Sequence, residues 1–140
     1  MTVNQNELEK LLEWRREVLT EVFKEVPDES LMLANKEYFE SMPFDHTFIN
    51  VDGDDIACGI VCYQDELPSP DNRSGKCGYI MNVYVRKAYR HQGYGKMTVN
   101  RLINFARAKG CGKIYLETTD MARKLYTECG FMPIKDMMKL

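Results

Sequence analysis

Long apolar runs, a signal-like start and an excess of basic residues are all missing from this 140-residue chain. No apolar stretch approaches the roughly 20 residues that a membrane-spanning helix needs, and the first residues are polar, unlike a secretory signal. The 21 acidic residues outnumber the 19 basic ones, so the formal net charge is −2 at pH 7, which argues against nucleic-acid binding. We therefore expect a cytoplasmic protein whose partners are neither membranes nor nucleic acids.

Histidine and cysteine are present, but not in the patterns that bind metals. The two histidines, His46 and His91, lie far apart in the sequence, and the five cysteines form no C-x-x-C pair. Zinc sites need such ligands at close spacing, so we expect no metal. An odd number of cysteines, lying in apolar strands or next to glycines, indicates free thiols in a reducing compartment.

The length predicts one domain over residues 1–140, large enough to bury a core of its own. An apolar content of 44% and a charged content of 29% are ordinary for a globular protein. Periodicity and the positions of proline and glycine predict helices at 6–26, 29–41, 93–109 and 121–129, and strands at 47–51, 56–63, 79–85, 113–118 and 133–140. The resulting order, ααβββαβαβ, implies an α/β (α+β) fold with helices on both faces of a mixed sheet.

The most informative segment is a glycine turn, Arg90-His91-Gln92-Gly93-Tyr94-Gly95, between a predicted strand and a predicted helix. Backbone N–H groups at the start of a helix have no partner within the helix, and the helix dipole adds partial positive charge there. Glycine lets a phosphate approach the backbone closely, and Arg90 and Lys96 add a full charge on each side. The segment therefore predicts a site for a pyrophosphate, although such a turn can also be no more than a tight connection.

Two commoner glycine motifs are excluded by spacing. The dinucleotide fingerprint would need glycine where Thr98 stands, and the P-loop would need glycine at Arg90 and serine or threonine at Met97. A second informative segment follows downstream, Ala122-Arg123-Lys124-Leu125-Tyr126-Thr127-Glu128-Cys129-Gly130-Phe131. A predicted helix and strand separate the two segments, so any assignment must account for both motifs in this order.

The two segments together resemble the motifs [QR]-x-x-G-x-[GA] and A-x-x-L-Y-x-x-x-G-F of the GNAT superfamily of acetyl-CoA-dependent N-acetyltransferases. The resemblance covers residues 82–131 closely and the remainder only in its order of elements. It implies a mixed, mostly antiparallel sheet flanked by helices. It also implies acetyl transfer from acetyl-CoA to a primary amine of a small molecule or a peptide, with no metal.

The same resemblance assigns roles to residues. The turn residues Arg90, His91, Gln92, Gly93, Tyr94, Gly95 and Lys96 would bind the pyrophosphate of coenzyme A. The main chain of Val83, Tyr84 and Val85 would pair with the pantetheine arm, and a backbone N–H at Val83 or a neighbour would stabilise the oxyanion. Tyr126 would be the general acid. The base stays unassigned between Glu117 and an ordered water. Thr118-Thr119-Asp120 stands where the superfamily often has an asparagine, and Asp120 is expected to cap the helix that follows.

Arg15 is the unusual residue of the first predicted helix, because it lies near the centre of the apolar stripe. A charged group there must find a partner or reach a wet cleft. In one interpretation Arg15 is structural and paired with a carboxylate or with strand-end carbonyls. In the other it lines the acceptor pocket and binds an anionic group of the substrate. Its neighbours Trp14 and Arg16 flank the stripe and are expected at its edges.

The acceptor is not named by the sequence: an antibiotic, a polyamine, an amino acid and a protein N-terminus all remain open, as does a homodimer. The alternative function is a coenzyme-A-binding module of the same fold that senses or docks without catalysis. A turn that binds a phosphoprotein without a cosubstrate is a third interpretation.

Overall fold

The computed structural model describes residues 3–140. Within them the chain forms four α-helices, one short 3-10 helix and four strands. In chain order these are α1 (Gln5–Phe23), α2 (Glu29–Ser41), β1 (Phe44–Val51), β2 (Asp54–Asp65), β3 (Lys76–Val85), the 3-10 helix Lys87–Tyr89, α3 (Tyr94–Ala108), β4 (Lys113–Leu116) and α4 (Arg123–Glu128).

The four strands form one sheet in the order β1-β2-β3-β4. The β1–β2 and β2–β3 pairs are antiparallel, and β3 pairs with β4 in parallel. The hairpin between β1 and β2 turns at Asp52 and Gly53, whose φ angles of 51° and 91° are both positive, as a type I′ turn requires. The mixed, mostly antiparallel sheet predicted from the sequence is thus confirmed.

Helices cover both faces of the sheet. On one face, α3 packs its apolar stripe against β2 and β3 through the buried residues Val61, Ile80, Val99, Leu102, Ile103 and Ala106. On the other face, α1 and α2 pack against β1 and β2 through Leu8, Leu11, Phe39, Phe44 and Ile60. Side chains that alternate along β2 therefore supply both cores, as the twofold period of a strand predicts.

The caps of the first two helices explain where they begin. The side chain of Asn4 accepts a hydrogen bond from the backbone N–H of Glu7, and Asp28 does the same for Leu31. Each carboxamide or carboxylate oxygen satisfies an N–H that the helix itself cannot pair. Pro27, between the two helices, is consistent with the end of α1 at Phe23.

A β-bulge interrupts β3 at the centre of the sheet. Cys58 of β2 pairs with Tyr84, whereas Ile60 pairs with Met81, so two steps along β2 oppose three along β3. The extra residue requires an unusual backbone, and Asn82 supplies it with φ of 60°. Asparagine tolerates this left-handed conformation better than most residues, and bulges often redirect a side chain next to a functional site.

The bulge changes which face of the sheet each side chain reaches. Ile80 and Val83 both face the core under α3. Met81 and Asn82, although adjacent, both face a cavity on the α1–α2 side. In a regular strand Asn82 would point toward α3, so the bulge is what brings its amide to the cavity.

Three expectations from the sequence were wrong. Residues 133–140 do not form a strand, and apolar side chains of this segment such as Met138 are largely exposed. Asp120 does not cap α4: the Thr119 hydroxyl accepts from the N–H of Ala122 instead, and Asp120 pairs with Arg123. Trp14 is not an edge residue but is buried against Phe48 and Tyr84.

Candidate functional site

The glycine turn lies where the sequence predicted it, between the end of β3 and α3. Gly93 is the N-cap of α3 with φ of 90°, and no side chain caps the helix. Among the described residues, no acceptor takes the N–H groups of Tyr94, Gly95 or Lys96, while the N–H of Met97 bonds to the carbonyl of Gly93. Three donors at the positive end of a helix dipole therefore remain available to an anion.

The two glycines of the turn have different surroundings. A Cβ at Gly93 would meet no atom within 4 Å, whereas one at Gly95 would lie 3.1 Å from Leu125 of α4. Gly93 thus keeps open the space in front of the free N–H groups. Gly95 instead allows α3 and α4 to pack closely, so its role is in packing and not in keeping the N–H groups accessible.

The remaining turn residues divide into exposed and packed ones. His91, Gln92 and Lys96 are exposed, and the Gln92 side chain donates to the carbonyl of Ala88. Tyr94 is half-buried against Tyr89, with their ring centroids 6.3 Å apart. Tyr94 therefore anchors the turn, and the other three face solvent around it.

Arg90 connects the turn to β3. Its Nε donates a 2.8 Å hydrogen bond to the carbonyl of Val85, and its guanidinium lies 5.5 Å from the centroid of the Tyr84 ring. The guanidinium is exposed and keeps its charge beside the turn. The same contact occupies a carbonyl in the strand segment expected to pair with pantetheine.

A gap opens beside the second half of β3. The parallel pairing with β4 ends at Ile80 and Leu116, while β3 continues to Val85. Val83 packs its side chain into the core under α3, and Val85 packs near Ile56 and Ala57. The two valine side chains therefore pack into the core. The main-chain edge of residues 81–85 that faces away from β2 has no partner strand among the described residues.

Tyr126 lies on α4 against the core under α3, with its ring centroid 6.1 Å from that of Phe131. Its hydroxyl hydrogen-bonds to no described residue. Burial, with a smaller effect of Cys129, raises the pKa of Tyr126 above its ordinary value. The phenol is therefore protonated at neutral pH and can donate a proton.

Glu117, the other titratable candidate, follows the end of β4 and is exposed. It lies beside the hydroxyl of Tyr79, where its charge adds to burial in raising the pKa of that phenol to about 12. Glu117 is thus a solvated carboxylate near the gap, and its neighbour Tyr79 stays neutral.

A cavity of about 340 Å³ lies on the opposite face of the sheet, between α1, α2, β2 and β3. Its apolar lining consists of Ala34, Phe39, Ile60 and Met81, and its polar lining consists of Arg15, Asn35, Tyr38, Cys62 and Asn82. A volume of this size is typical of small-molecule sites. The cavity reaches the β3 bulge. It therefore lies against one face of the same strand whose unpaired edge borders the gap.

Arg15 crosses this cavity without a carboxylate partner among the described residues. Its Nε donates to Oδ1 of Asn35 and its Nη1 to Oδ1 of Asn82, both at 2.9 Å. The expected structural pairing with a carboxylate or with strand-end carbonyls is therefore wrong, and two neutral amides hold the guanidinium instead. Burial lowers the pKa of Arg15, but an arginine stays charged at neutral pH.

Comparison with known proteins decides the family. A sequence profile of the acetyltransferase (GNAT) family matches residues 8–131. The chain belongs to the GNAT acetyltransferase family.

Curated relatives in this family match only part of the chain. Glucosamine 6-phosphate N-acetyltransferase 1 of Oryza sativa subsp. japonica is 37% identical over 60 residues, which are 43% of this chain and 36% of that protein. Glucosamine 6-phosphate N-acetyltransferase of Trypanosoma brucei brucei is 33% identical over 69 residues, 49% of this chain and 47% of that protein. The chain thus spans less than half the length of these GNAT relatives.

Solved structures show the same fold over two thirds or more of the chain. A crystal structure of a predicted acetyltransferase with acetyl-CoA, from Clostridium acetobutylicum, has a TM-score of 0.86 at 22% identity and covers 99% of this chain and 92% of its own. Glucosamine-6-phosphate N-acetyltransferase from Arabidopsis thaliana has a TM-score of 0.61 at 24% identity, covering 69% of this chain and 65% of its own. At these identities the similarity concerns the GNAT fold alone.

Sequence reasoning found the GNAT turn and Tyr126 but missed most of the cavity. Nothing in the sequence indicated that Asn35, Tyr38, Cys62 and Asn82 line one cavity. The mid-stripe position of Arg15 was the signal that a polar site lay there. The amides that hold Arg15 come from α2 and β3, which helical periodicity within α1 cannot identify.

Within residues 3–140, no helix is long and apolar enough to cross a membrane. No group of three or more histidine, cysteine or acidic side chains in the same range could hold a metal ion. All five cysteines are free, in agreement with the odd count.

Proposed function

We propose that this chain transfers the acetyl group of acetyl-CoA to a primary amine of a small molecule or a peptide. The observation that carries the proposal is the placement of three unpaired N–H groups of α3 at one end of the gap beside β3. This arrangement offers an anion site and an unpaired strand edge next to each other. Both are needed to hold a pyrophosphate and a pantetheine arm in one extended ligand.

The donor side uses main chain more than side chains. The N–H groups at the start of α3, with Arg90 and Lys96 beside them, would hold the pyrophosphate of acetyl-CoA. The free edge of Val83, Tyr84 and Val85 would hold the amide-bearing arm as an added strand does. For Val85, Arg90 would have to release the carbonyl that it now occupies.

Acetyl-CoA, when bound, supplies a thioester whose C–S bond breaks as the amine forms a new C–N bond. The amine gives up a proton and the thiolate takes one up. An N–H at the bulge, at Val83 or its neighbour, would donate to the carbonyl oxygen as charge develops on it. Tyr126 is protonated at neutral pH, as a phenol of ordinary pKa would be, and burial raises its pKa further. It would give a proton to the leaving sulfur.

The acceptor would enter from the α1–α2 side. The cavity between these helices and the β3 bulge has the size of a small molecule. Two relatives named above act on glucosamine 6-phosphate, as their names state. That amino sugar phosphate therefore belongs in any panel of acceptors.

The test is acetyl transfer by the purified chain to a panel of amines, with the acetylated product detected by mass spectrometry. Product detection is preferable to a thiol reagent, because the chain carries five free cysteines. Binding of acetyl-CoA in a calorimeter, without turnover of any amine in the panel, would favour the alternative of a coenzyme-A-binding module. Absence of acetyl-CoA binding would contradict both functions.

A further inference from the structure

We infer that the acceptor is a small amine that also carries an anionic group, and that Arg15 binds this group; the inference rests on the proposed function. The shared chemistry is that of an amine with a carboxylate or a phosphate. The apolar lining of the cavity favours the carboxylate of an amino acid with an apolar side chain.

The first support is a cation without a counter-ion. Arg15 uses Nε and Nη1 for the amide oxygens of Asn35 and Asn82, and none of the described carboxylates forms an ion pair with it. Its Nη2 has no hydrogen-bond partner among residues 3–140. The guanidinium therefore keeps donors free on a side chain that is already held in place.

The thiols near Arg15 do not neutralise it. Burial raises the pKa of Cys62 and raises that of Cys58 to about 12. Both thiols are therefore neutral at physiological pH. Burial also lowers the pKa of Arg15, which means that desolvation disfavours its charged form. An anion entering the cavity would offset that penalty.

The orientation of the Asn35 and Asn82 amides determines the electrostatic character of the polar lining. The Nδ2 of Asn35 donates to the carbonyl of Leu31, which fixes its oxygen toward Arg15. Asn82 likewise turns its oxygen to Arg15, so its Nδ2 remains a donor. The polar lining therefore offers the Asn82 amide donor and one full positive charge but no carboxylate.

The position of Arg15 ties this anion site to the reaction. Asn82 is the bulge residue, and Val83 follows it at about 3.8 Å along the chain. An anion on Arg15 would therefore lie on the cavity side of the segment proposed to hold the acetyl group. A ligand that reaches both needs only a few bonds between its amine and its anion.

The apolar part of the lining favours the carboxylate of an amino acid over the phosphate of a sugar as the anionic group. Ala34, Phe39, Ile60 and Met81 present hydrocarbon, which would desolvate the hydroxyl groups of a sugar without pairing them. The same surface gains from contact with an apolar side chain. A polycationic amine, by contrast, would meet the uncompensated charge of Arg15.

The experiment compares pairs of amines that differ only in the anion. L-Leucine is paired with 3-methylbutylamine, L-phenylalanine with 2-phenylethylamine, and glucosamine 6-phosphate with glucosamine. For the amino acid pairs we expect kcat/KM to favour the anionic member by about 10- to 100-fold, since a hydrogen-bonded charge contributes that much. Arg15→Met should remove the preference and leave KM for acetyl-CoA unchanged.

Arg16 provides the matched control, because it is the adjacent arginine on α1 and is exposed. Arg16→Met should retain the preference in full. Arg15→Lys keeps a charge on a similar stem, so it should retain part of the preference, and it serves as the second variant if Arg15→Met does not fold. Thermal shifts with each amino acid in the presence of coenzyme A give a readout that does not need turnover.

The possible outcomes distinguish failure of the anion site at Arg15 from failure of the proposed acetyl transfer. Equal kcat/KM within every pair, or an unchanged preference in Arg15→Met, would overturn the anion site while leaving acetyl transfer intact. A preference confined to the phosphate pair and lost in Arg15→Met would support the site and overturn the carboxylate assignment. Acetyl-CoA binding with neither turnover nor a thermal shift from any anionic member would overturn both the proposed function and this inference.

Discussion

Gly95 packs directly against Leu125, because a Cβ atom at position 95 would lie 3.1 Å from Cδ2 of the leucine. The two residues belong to the two sequence motifs that identified the family, the glycine turn and the A-x-x-L-Y segment. Their contact shows how the two motifs meet in the fold: α4 can lie this close to α3 only if α3 presents a residue without a side chain at this point. Substitutions in the turn should therefore have separable effects on folding and on binding.

Gly93→Leu tests the binding role of the turn. Its φ of 90° strains any L-residue, which should cost about 1–3 kcal/mol of stability. The open space around Gly93 accommodates the side chain, so the protein should still fold. The leucine would cover the free N–H groups of α3, and the affinity for acetyl-CoA in a calorimeter should fall at least about tenfold.

Gly53→Leu is the control for that variant. Gly53 has φ of 91°, and a Cβ there would also meet nothing within 4 Å, but it lies in the β1–β2 hairpin. It should lose similar stability and bind acetyl-CoA as the original chain does. Unchanged affinity in Gly93→Leu would refute the role of the turn.

Gly95→Val tests packing between α3 and α4. The added methyl groups would push on Leu125, and overpacking of this kind costs about 1–3 kcal/mol. In a Leu125→Ala background the same substitution should cost less, because the leucine that it strikes is gone. A double-mutant cycle by urea denaturation measures this coupling, and additive costs would mean that the two helices adjust independently.

Tyr126→Phe removes a hydroxyl that bonds to no described residue and keeps the ring packed against Phe131. The melting temperature should stay nearly constant, while kcat should fall by roughly 10²–10⁴ if the phenol is the general acid. Tyr89→Phe, in the ring pair with Tyr94, is the control and should keep kcat. A kcat equal to that of the original chain at every pH tested would assign the proton to water.

Cys58 should make stability depend on alkaline pH. Its folded pKa is about 12, while an unfolded cysteine titrates near about 8.5. Above that lower value the unfolded chain loses a proton that the folded chain keeps, so the free energy of unfolding falls as pH rises toward the folded pKa. The contribution is at most about 1.4 kcal/mol per pH unit.

Cys58→Ala should make that decline shallower. Urea denaturation from pH 7 to 10.5 measures it, and Cys129→Ala, at a half-buried position on the other face of the sheet, provides the comparison. If Cys58→Ala and the original chain decline in parallel, the Cys58 thiol does not carry the effect.

Periodicity and the positions of proline and glycine predicted every element of the fold except the short 3-10 helix Lys87–Tyr89, but they also predicted a strand at 133–140 that does not form. Helices α1 and α2 could be predicted because their apolar periodicity, their capping residues and Pro27 are local features of the sequence. The segment 133–140 has apolar residues too, but a strand forms only where another strand accepts it. The strand at the edge of the sheet, β4, is only four residues long, and Met138 of the segment is 96% exposed.

The candidate site likewise has one part that could be predicted from the sequence and one part that could not. The glycine turn is a contiguous motif with a local backbone geometry, so sequence reasoning located it. The cavity depends on two hydrogen bonds of Arg15. One joins it to Asn35, 20 residues away in the sequence, and the other joins it to Asn82, 67 residues away. The bulge that aims Asn82 at Arg15 comes from strand register, which no local pattern of β3 reveals.

The left-handed backbone of Asn82 restricts what evolution can place at the bulge. Asparagine, aspartate and glycine adopt such a conformation most readily. Aspartate would keep the backbone and put a carboxylate within hydrogen-bonding reach of Arg15, closing the anion site with an internal ion pair. Glycine would leave the guanidinium tethered only to Asn35. Exchange of one amide nitrogen for oxygen is thus enough to change the charge of the pocket.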